Sequence, residues 1–204
     1  MSNEKTVKVW DILVRLFHWS LVVCFIIAYI TSEEGNDWHI YSGYAVLGLI
    51  LFRVVWGFIG TKHARFSDFV YPPAEVIDYL KGLLENRPKY YLGHNPIGGW
   101  MIIALLVSLF VVSLSGLKVY AIEEGQGPFA DTGIDISVVK NAYAESEDDE
   151  DENEEEEFWE EIHEASVNFT LILIFIHVVG VFVAGRIHHE NLVLAMITGK
   201  KPVK

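Results

Sequence analysis

The sequence predicts an all-α fold, an integral membrane four-helix bundle forming one domain over residues 1–204. Three observations lead there. Apolar residues make up 51% of the 204 positions and the mean hydropathy is +0.29, too hydrophobic for most soluble domains of this size. Four stretches, 12–30, 39–59, 98–117 and 163–185, are long enough to cross about 30 Å of hydrocarbon at a helical rise of ~1.5 Å per residue. Lysine and arginine fall into alternate loops, as the positive-inside rule requires of a multi-pass chain.

The first span, 12–30, could pass for a secretory signal, but Arg15 and His18 interrupt it and no clean small-residue cleavage site follows. It reads as a retained helix. Its Cys24 is the chain's one cysteine, so no intrachain disulfide can form and no CxxCH motif can attach a haem covalently. Ordinary helix packing accounts for Cys24.

The second span, 39–59, ends in the loop 60–97. There Pro72-Pro73 introduces AEVIDYLKGLLE, whose Val76, Ile77, Leu80, Leu83 and Leu84 keep helical spacing until Asn86, Arg87 and Pro88 break it. A one-sided helix of this kind, beside Tyr90 and Tyr91, is expected to lie along the membrane surface. His94-Asn95-Pro96 and Gly98-Gly99 then turn the chain into the third span, 98–117. No internal repeat and no nucleic-acid signature is evident.

The loop 118–162 carries the acidic tract ESEDDEDENEEEE at 145–157, which dominates the net charge of −13. Such a run cannot bury apolar surface and is expected to be a mobile, solvated tract. It reads either as a solvating linker or as an electrostatic lure for a cationic soluble partner. The fourth span, 163–185, completes the set. Lys5, Lys8, Arg15, the basic residues of the 60–97 loop, and Arg186, Lys200, Lys201 and Lys204 share one side, against Lys118 and Lys140 on the other. Both termini and the 60–97 loop are therefore expected in the cytoplasm, in a bacterial inner membrane, with 118–162 periplasmic.

An ionisable side chain in hydrocarbon asks for a reason. His163 and His177 are fourteen residues apart, about 21 Å of helical rise and within roughly 40° of one face. With the orientation above, His18 and His177 both fall near 10 Å from the cytoplasmic boundary, while His39 and His163 both open spans at the outer side. Two level pairs across three helices suit axial ligation of two stacked haems held in the bundle core. Lacking a covalent attachment motif, these would be two haem b groups: His18 and His177 on the cytoplasmic-side iron, His39 and His163 on the periplasmic-side iron. His63, His94, His188 and His189 lie on cytoplasmic flanks and read as surface or interfacial histidines.

Arg15 precedes His18 by about one turn, and Arg53 follows His39 by fourteen residues, which brings it to the depth of the cytoplasmic-side haem. Both could pair with anionic propionates, with snorkelling as the alternative. Gly43, one turn after His39, and Gly180, three residues after His177, would admit a porphyrin face; simple helix packing is the alternative. A divalent-metal transporter would also use intramembrane histidines and an external acidic tract, but it would gather ligands at one depth rather than two.

The stretches VKVWDILVRLFHW (7–19), HIYSGYAVLGLILFRVVWGFIG (39–60), GHNPIGGW (93–100) and HVVGVFVAGRIHHENLVLAMITGK (177–200) resemble the bacterial cytochrome b561 type, which includes the cytochrome b subunits of nickel-iron hydrogenases. The resemblance covers nearly the whole chain apart from the acidic loop. It implies four transmembrane helices, two b haems, the same four histidine ligands, and electron exchange between a quinone or quinol pool and a redox partner. The acidic tract departs from the hydrogenase subunits and favours a cationic or c-type cytochrome partner at the periplasmic face. A cytochrome b anchor for a hydrogenase or another periplasmic oxidoreductase is the alternative. No side chain stands out as a nucleophile or general base, so quinol oxidoreductase activity would rest on the haems.

Overall fold

The computed structural model describes residues 6–32, 37–85, 87–130 and 148–202, with side chains from Glu154 onward in the last stretch. The elements run β1 (Thr6–Lys8), α1 (Ile12–Ile30), α2 (Asp37–Ile59), a 3₁₀ turn (Lys62–Ala64), α3 (Phe66–Phe69), α4 (Pro73–Leu84), α5 (Pro96–Glu123), α6 (Asp148–His188), α7 (Leu192–Thr198) and β2 (Lys200–Pro202). Four of these helices are long and apolar enough to cross a membrane, at Ile12–Ile30, Asp37–Ile59, Pro96–Glu123 and Glu154–His188. Their outward faces carry Leu16, Ile26, Phe58, Phe175 and Phe182, all exposed, as expected where lipid rather than water is the solvent.

The chain divides into two compact units, one formed by 1–106 with 172–204 and the other by 107–171. In the first unit α1 packs on α2. The buried positions of α2, namely Ser42, Val46, Ile50, Arg53 and Gly57, recur every three or four residues and so make one stripe. Asp11 caps α1 by accepting from Val14 N at 2.9 Å, and the same carboxylate accepts from Thr61 Oγ1 at 2.5 Å and Trp56 Nε1 at 3.3 Å. One acidic side chain thus ties the start of α1 to the end of α2. Gly57 is needed because a Cβ there would run into the Phe66 ring, which seats α3 on α2.

Proline at the first helical position starts α4. Its Tyr79 is buried, whereas Ile77, Leu80 and Leu84 form an exposed apolar row. Asn95 caps α5 by accepting from Gly98 N at 2.7 Å, with Pro96 next to it. The Asn-Pro pair is therefore helix-start chemistry, and Gly99 lets that first turn approach the Phe69 carbonyl. α7 is capped by Asn191, which accepts from Leu194 N at 2.8 Å, and ends at Gly199 in the left-handed region at φ 78°. The Gly199 carbonyl accepts from Val9 N at 2.8 Å and Trp10 N at 3.2 Å. β1 and β2 then pair antiparallel, Thr6 opposite Pro202 and Lys8 opposite Lys200, so the two ends of the described chain lie together on one side.

In the second unit, hydroxyls meet the demand for satisfied polar groups inside apolar helices by bonding back to the preceding turn: Ser113 to Leu109 O and Ser115 to Val111 O, both at 2.9 Å, and Thr170 to Ser166 O at 2.8 Å. The acidic tract departs from the expectation of a wholly mobile segment. Residues 145–147 lie outside the described residues, but α6 is already helical from Asp148. Glutamate is a good helix former, and negative charge at a helix N-terminus is favourable.

Candidate functional site

His18, on α1, stands edge-on to Trp19 with centroids 5.1 Å apart, and it lies within electrostatic range of His177 on α6. Both belong to the first unit. Arg53 is 3% exposed on α2, with its guanidinium 5.3 Å from the Phe66 ring centroid and 5.6 Å from that of Phe69. The His94 ring packs between Trp10 and Phe69, at centroid distances of 4.4 Å and 4.8 Å. It is not the surface histidine the sequence suggests. Burial, followed by the nearby charges of Arg53, Lys201, His63 and His177, pushes its pKa down to about 3, so this imidazole is neutral.

Four polar atoms in this region are buried with no hydrogen-bond partner among the described residues: Arg15 Nε, His18 Nδ1, Arg53 Nη1 and His94 Nδ1. Leaving a buried donor unmatched costs about 1–3 kcal/mol, and more when it is charged. Asp11 lies within electrostatic range of Arg53, but the unpartnered nitrogens of Arg15 and Arg53 leave capacity for a further anion, and two imidazoles within range of each other suit a shared electrophile. The donor set fits a haem whose iron takes imidazole and whose propionates take arginine. Arg15 is also anchored through Nη1, which donates to the Ile197 carbonyl.

His39 opens α2, and its Nδ1 lies 2.9 Å from the Ala28 carbonyl. In the second unit, the Nδ1 of His163 lies 3.1 Å from both the Val112 carbonyl and Ser115 Oγ. A carbonyl only accepts, so in each ring Nδ1 carries the proton and Nε2 is the basic nitrogen. This is the outer hydrogen bond that metal-bound histidines usually make, and it fixes both tautomer and ring direction. Gly116 makes room for the His163 ring, because a Cβ there would lie 2.8 Å from Cε1 and 3.2 Å from Nδ1. At Gly43 and Gly180 an added Cβ would meet nothing within 4 Å.

Sequence reasoning missed Ser115, Gly116 and the two carbonyls. The signal that could have found the first two is the Ser-Gly pair in the middle of an otherwise bulky apolar helix. Of the acidic tract, side chains are described from Glu154 onward. Lys118 Nζ pairs with Glu155 at 3.4 Å and lies 5.9 Å from the Trp159 ring centroid. Carboxylates of Glu123, Glu156 and Glu160 come within 4.8 Å of one another, which concentrates negative charge at this end of the second unit.

The family model described as prokaryotic cytochrome b561 matches residues 9–199. A protein of Azotobacter chroococcum mcd 1 named "Probable Ni/Fe-hydrogenase B-type cytochrome subunit" is 31% identical over 161 residues, covering 64% of this chain and 66% of its own length. A similarly named protein of Rhodobacter capsulatus is 22% identical over 240 residues, covering 100% of this chain and 84% of its own length. In Escherichia coli (strain K12), the "Probable Ni/Fe-hydrogenase 1 B-type cytochrome subunit" is 28% identical over 151 residues, covering 59% and 63%. The chain spans somewhat under two thirds of several of these relatives, 66% of the Azotobacter chroococcum protein among them. No solved structure matches.

Proposed function

The chain belongs to the prokaryotic cytochrome b561 family, and from that premise we propose that it is a dihaem membrane cytochrome b carrying electrons between the quinone pool and a redox enzyme at the periplasmic face. Membership establishes a multi-pass, haem-containing b-type cytochrome of electron transport. The haem count, the ligand set, the quinone and the partner are the proposal. One set of observations carries it: His39 and His163 each have Nδ1 tied to a backbone carbonyl, His18 and His177 lie within electrostatic range of each other, and Arg15 and Arg53 each carry a buried nitrogen with no hydrogen-bond partner among the described residues.

Bound haem supplies reversible one-electron chemistry. The protein's own residues do the rest. His18 and His177 hold the cytoplasmic-side iron, and His39 and His163 the outer one. Arg15 and Arg53 neutralise propionate charge, and Gly43 and Gly180 leave space for a porphyrin face. Both termini lie in the cytoplasm, following the lysine and arginine distribution.

For the partner, the relatives' names favour a Ni/Fe-hydrogenase over the c-type cytochrome that the acidic tract alone suggests. The cationic-cytochrome reading keeps one observation of its own, the cluster of Glu123, Glu156 and Glu160 next to the acidic start of α6. Copurification from native membranes separates the two.

The test of ligation is haem per polypeptide, with the reduced-minus-oxidised spectrum, in four variants. His18→Ala and His177→Ala should lose one haem, and His39→Ala and His163→Ala the other. If His18→Ala and His39→Ala removed the same haem, the pairing would be wrong.

A further inference from the structure

At the end of α6 that lies on the side of both strands, a cavity of about 490 Å³ is lined by Leu83, Arg87, Pro88, Arg186, Ile187, His188 and His189. All lie in the first unit. From this cavity we infer a binding site for the head group of an anionic phospholipid, separate from the haem histidines.

Charge is the first argument. Arg87 and Arg186 are exposed, and neither has a carboxylate partner among the described residues. Of the acids nearest along the chain, Glu190 is buried and paired with Lys201 Nζ at 3.3 Å, and the exposed Glu85 forms no ion pair with either arginine among the described residues. His188 and His189 add imidazole donors. His189 reaches its place because the chain turns there through the left-handed region at φ 49°, with Glu190 N closing on Gly185 O at 2.9 Å. Two guanidiniums and two imidazoles around one concavity match a phosphodiester.

Apolar continuity is the second argument, and it decides the class of ligand. The cavity is bordered by Leu83 and Ile187, and the two helices that carry these residues expose further apolar side chains toward it along the chain, Ile77, Leu80 and Leu84 on α4 and Phe182 and Val183 on α6. A soluble phosphate or nucleotide would have no use for these side chains. A lipid would lay its acyl chains along them while its phosphate met the arginines, and basic pockets at the membrane surface beside transmembrane helices recognise anionic head groups in this way.

The experiment uses the full chain, purified in detergent, stripped of lipid and offered phosphatidylglycerol and phosphatidylcholine with identical acyl chains, with retained lipid counted by native mass spectrometry. At about fivefold per basic residue, the native protein with its two arginines should prefer phosphatidylglycerol about twenty-five-fold. Arg87→Gln with Arg186→Gln should abolish the preference, and Arg87→Lys with Arg186→Lys should keep most of it. Lys62→Gln, outside the cavity, should change nothing. If the double glutamine variant melts at a lower temperature, the single variants are used instead, each expected to lose about fivefold. Unaltered preference in the glutamine variants, or an equal loss in Lys62→Gln, overturns the inference. So does complete displacement of phosphatidylglycerol by millimolar inorganic phosphate, which would make this a free-anion site; retention of the lipid under phosphate supports it.

Discussion

Replacing Gly116 with Ala puts a methyl carbon 2.8 Å from His163 Cε1. Carbon atoms settle at about 3.5–4.0 Å, so the ring or the helix has to retreat by roughly 0.7–1.2 Å. The ring cannot turn away cheaply, because its Nδ1 is held 3.1 Å from the Val112 carbonyl and 3.1 Å from Ser115 Oγ. Overpacking of this kind costs about 1–3 kcal/mol, whereas metal–ligand distances tolerate only about 0.2 Å. Taken out of haem affinity, that cost is roughly a tenfold to hundredfold weakening at about 1.4 kcal/mol per decade. The assay is haem per polypeptide after gel filtration, together with the low-spin electron paramagnetic resonance signals. Gly116→Ala should lose or distort one haem and leave the one assigned to His18 and His177 unchanged. Ser115→Ala, which keeps the Val112 carbonyl, should have a much smaller effect. A Gly116→Ala protein with both haems and both signals intact would refute the role given to His163.

Other outcomes follow from the same contacts. Arg53→Leu should lower the midpoint potential of the haem proposed for His18 and His177 in a redox titration, since a buried positive charge favours the reduced form, and Arg53→Lys should lower it less. Asp11→Ala should destabilise by about 1–2 kcal/mol in thermal melts, because it removes the α1 cap and the acceptor of Thr61 and Trp56. Burial raises the Asp11 carboxyl, but hydrogen bonds from Thr61, Val14, Trp56 and Leu13 outweigh that and leave it below the ordinary value. Its contribution is therefore present above the unfolded pKa near 4 and fades as pH falls through the lower folded value. Tyr90 behaves oppositely: burial and then Glu190 push it up to about 12, so its contribution is whole below about pH 10 and drains away between about 10 and 12, visible as loss of thermal stability in alkali. Deleting 145–157 should slow electron transfer to a cationic partner and flatten its dependence on salt, read by stopped flow, while leaving haem content unchanged.

The spans were legible because a membrane selects composition crudely and at a known length. Helix ends were less so. α5 runs to Glu123 rather than stopping near 117, and α6 begins at Asp148, well before 163, because hydrogen bonding continues after apolarity stops. The four histidines proposed as ligands stand out in the sequence by depth, since an ionisable group is costly in an apolar span. What fixes the His39 and His163 rings does not, because their partners are backbone carbonyls, which every residue has. His94 was misjudged for another reason. Its neighbours Trp10 and Phe69 are 84 and 25 residues away, and Lys201 is farther still, so no local pattern announces that the flank folds over it. The β1–β2 pair is three residues a side, too short to leave an alternation.

That small sheet sets an order of events. A chain threaded into a membrane from its first helix places Thr6–Lys8 and Trp10 early, yet their partners, Lys200–Pro202 and the Gly199 carbonyl, are made only after all four candidate spans. Until then the Arg15 guanidinium lacks the Ile197 carbonyl, and Trp10 lacks the buried Lys201 ammonium above its ring. The contacts that close this end of the first unit are thus available only after α6 and α7 have been made.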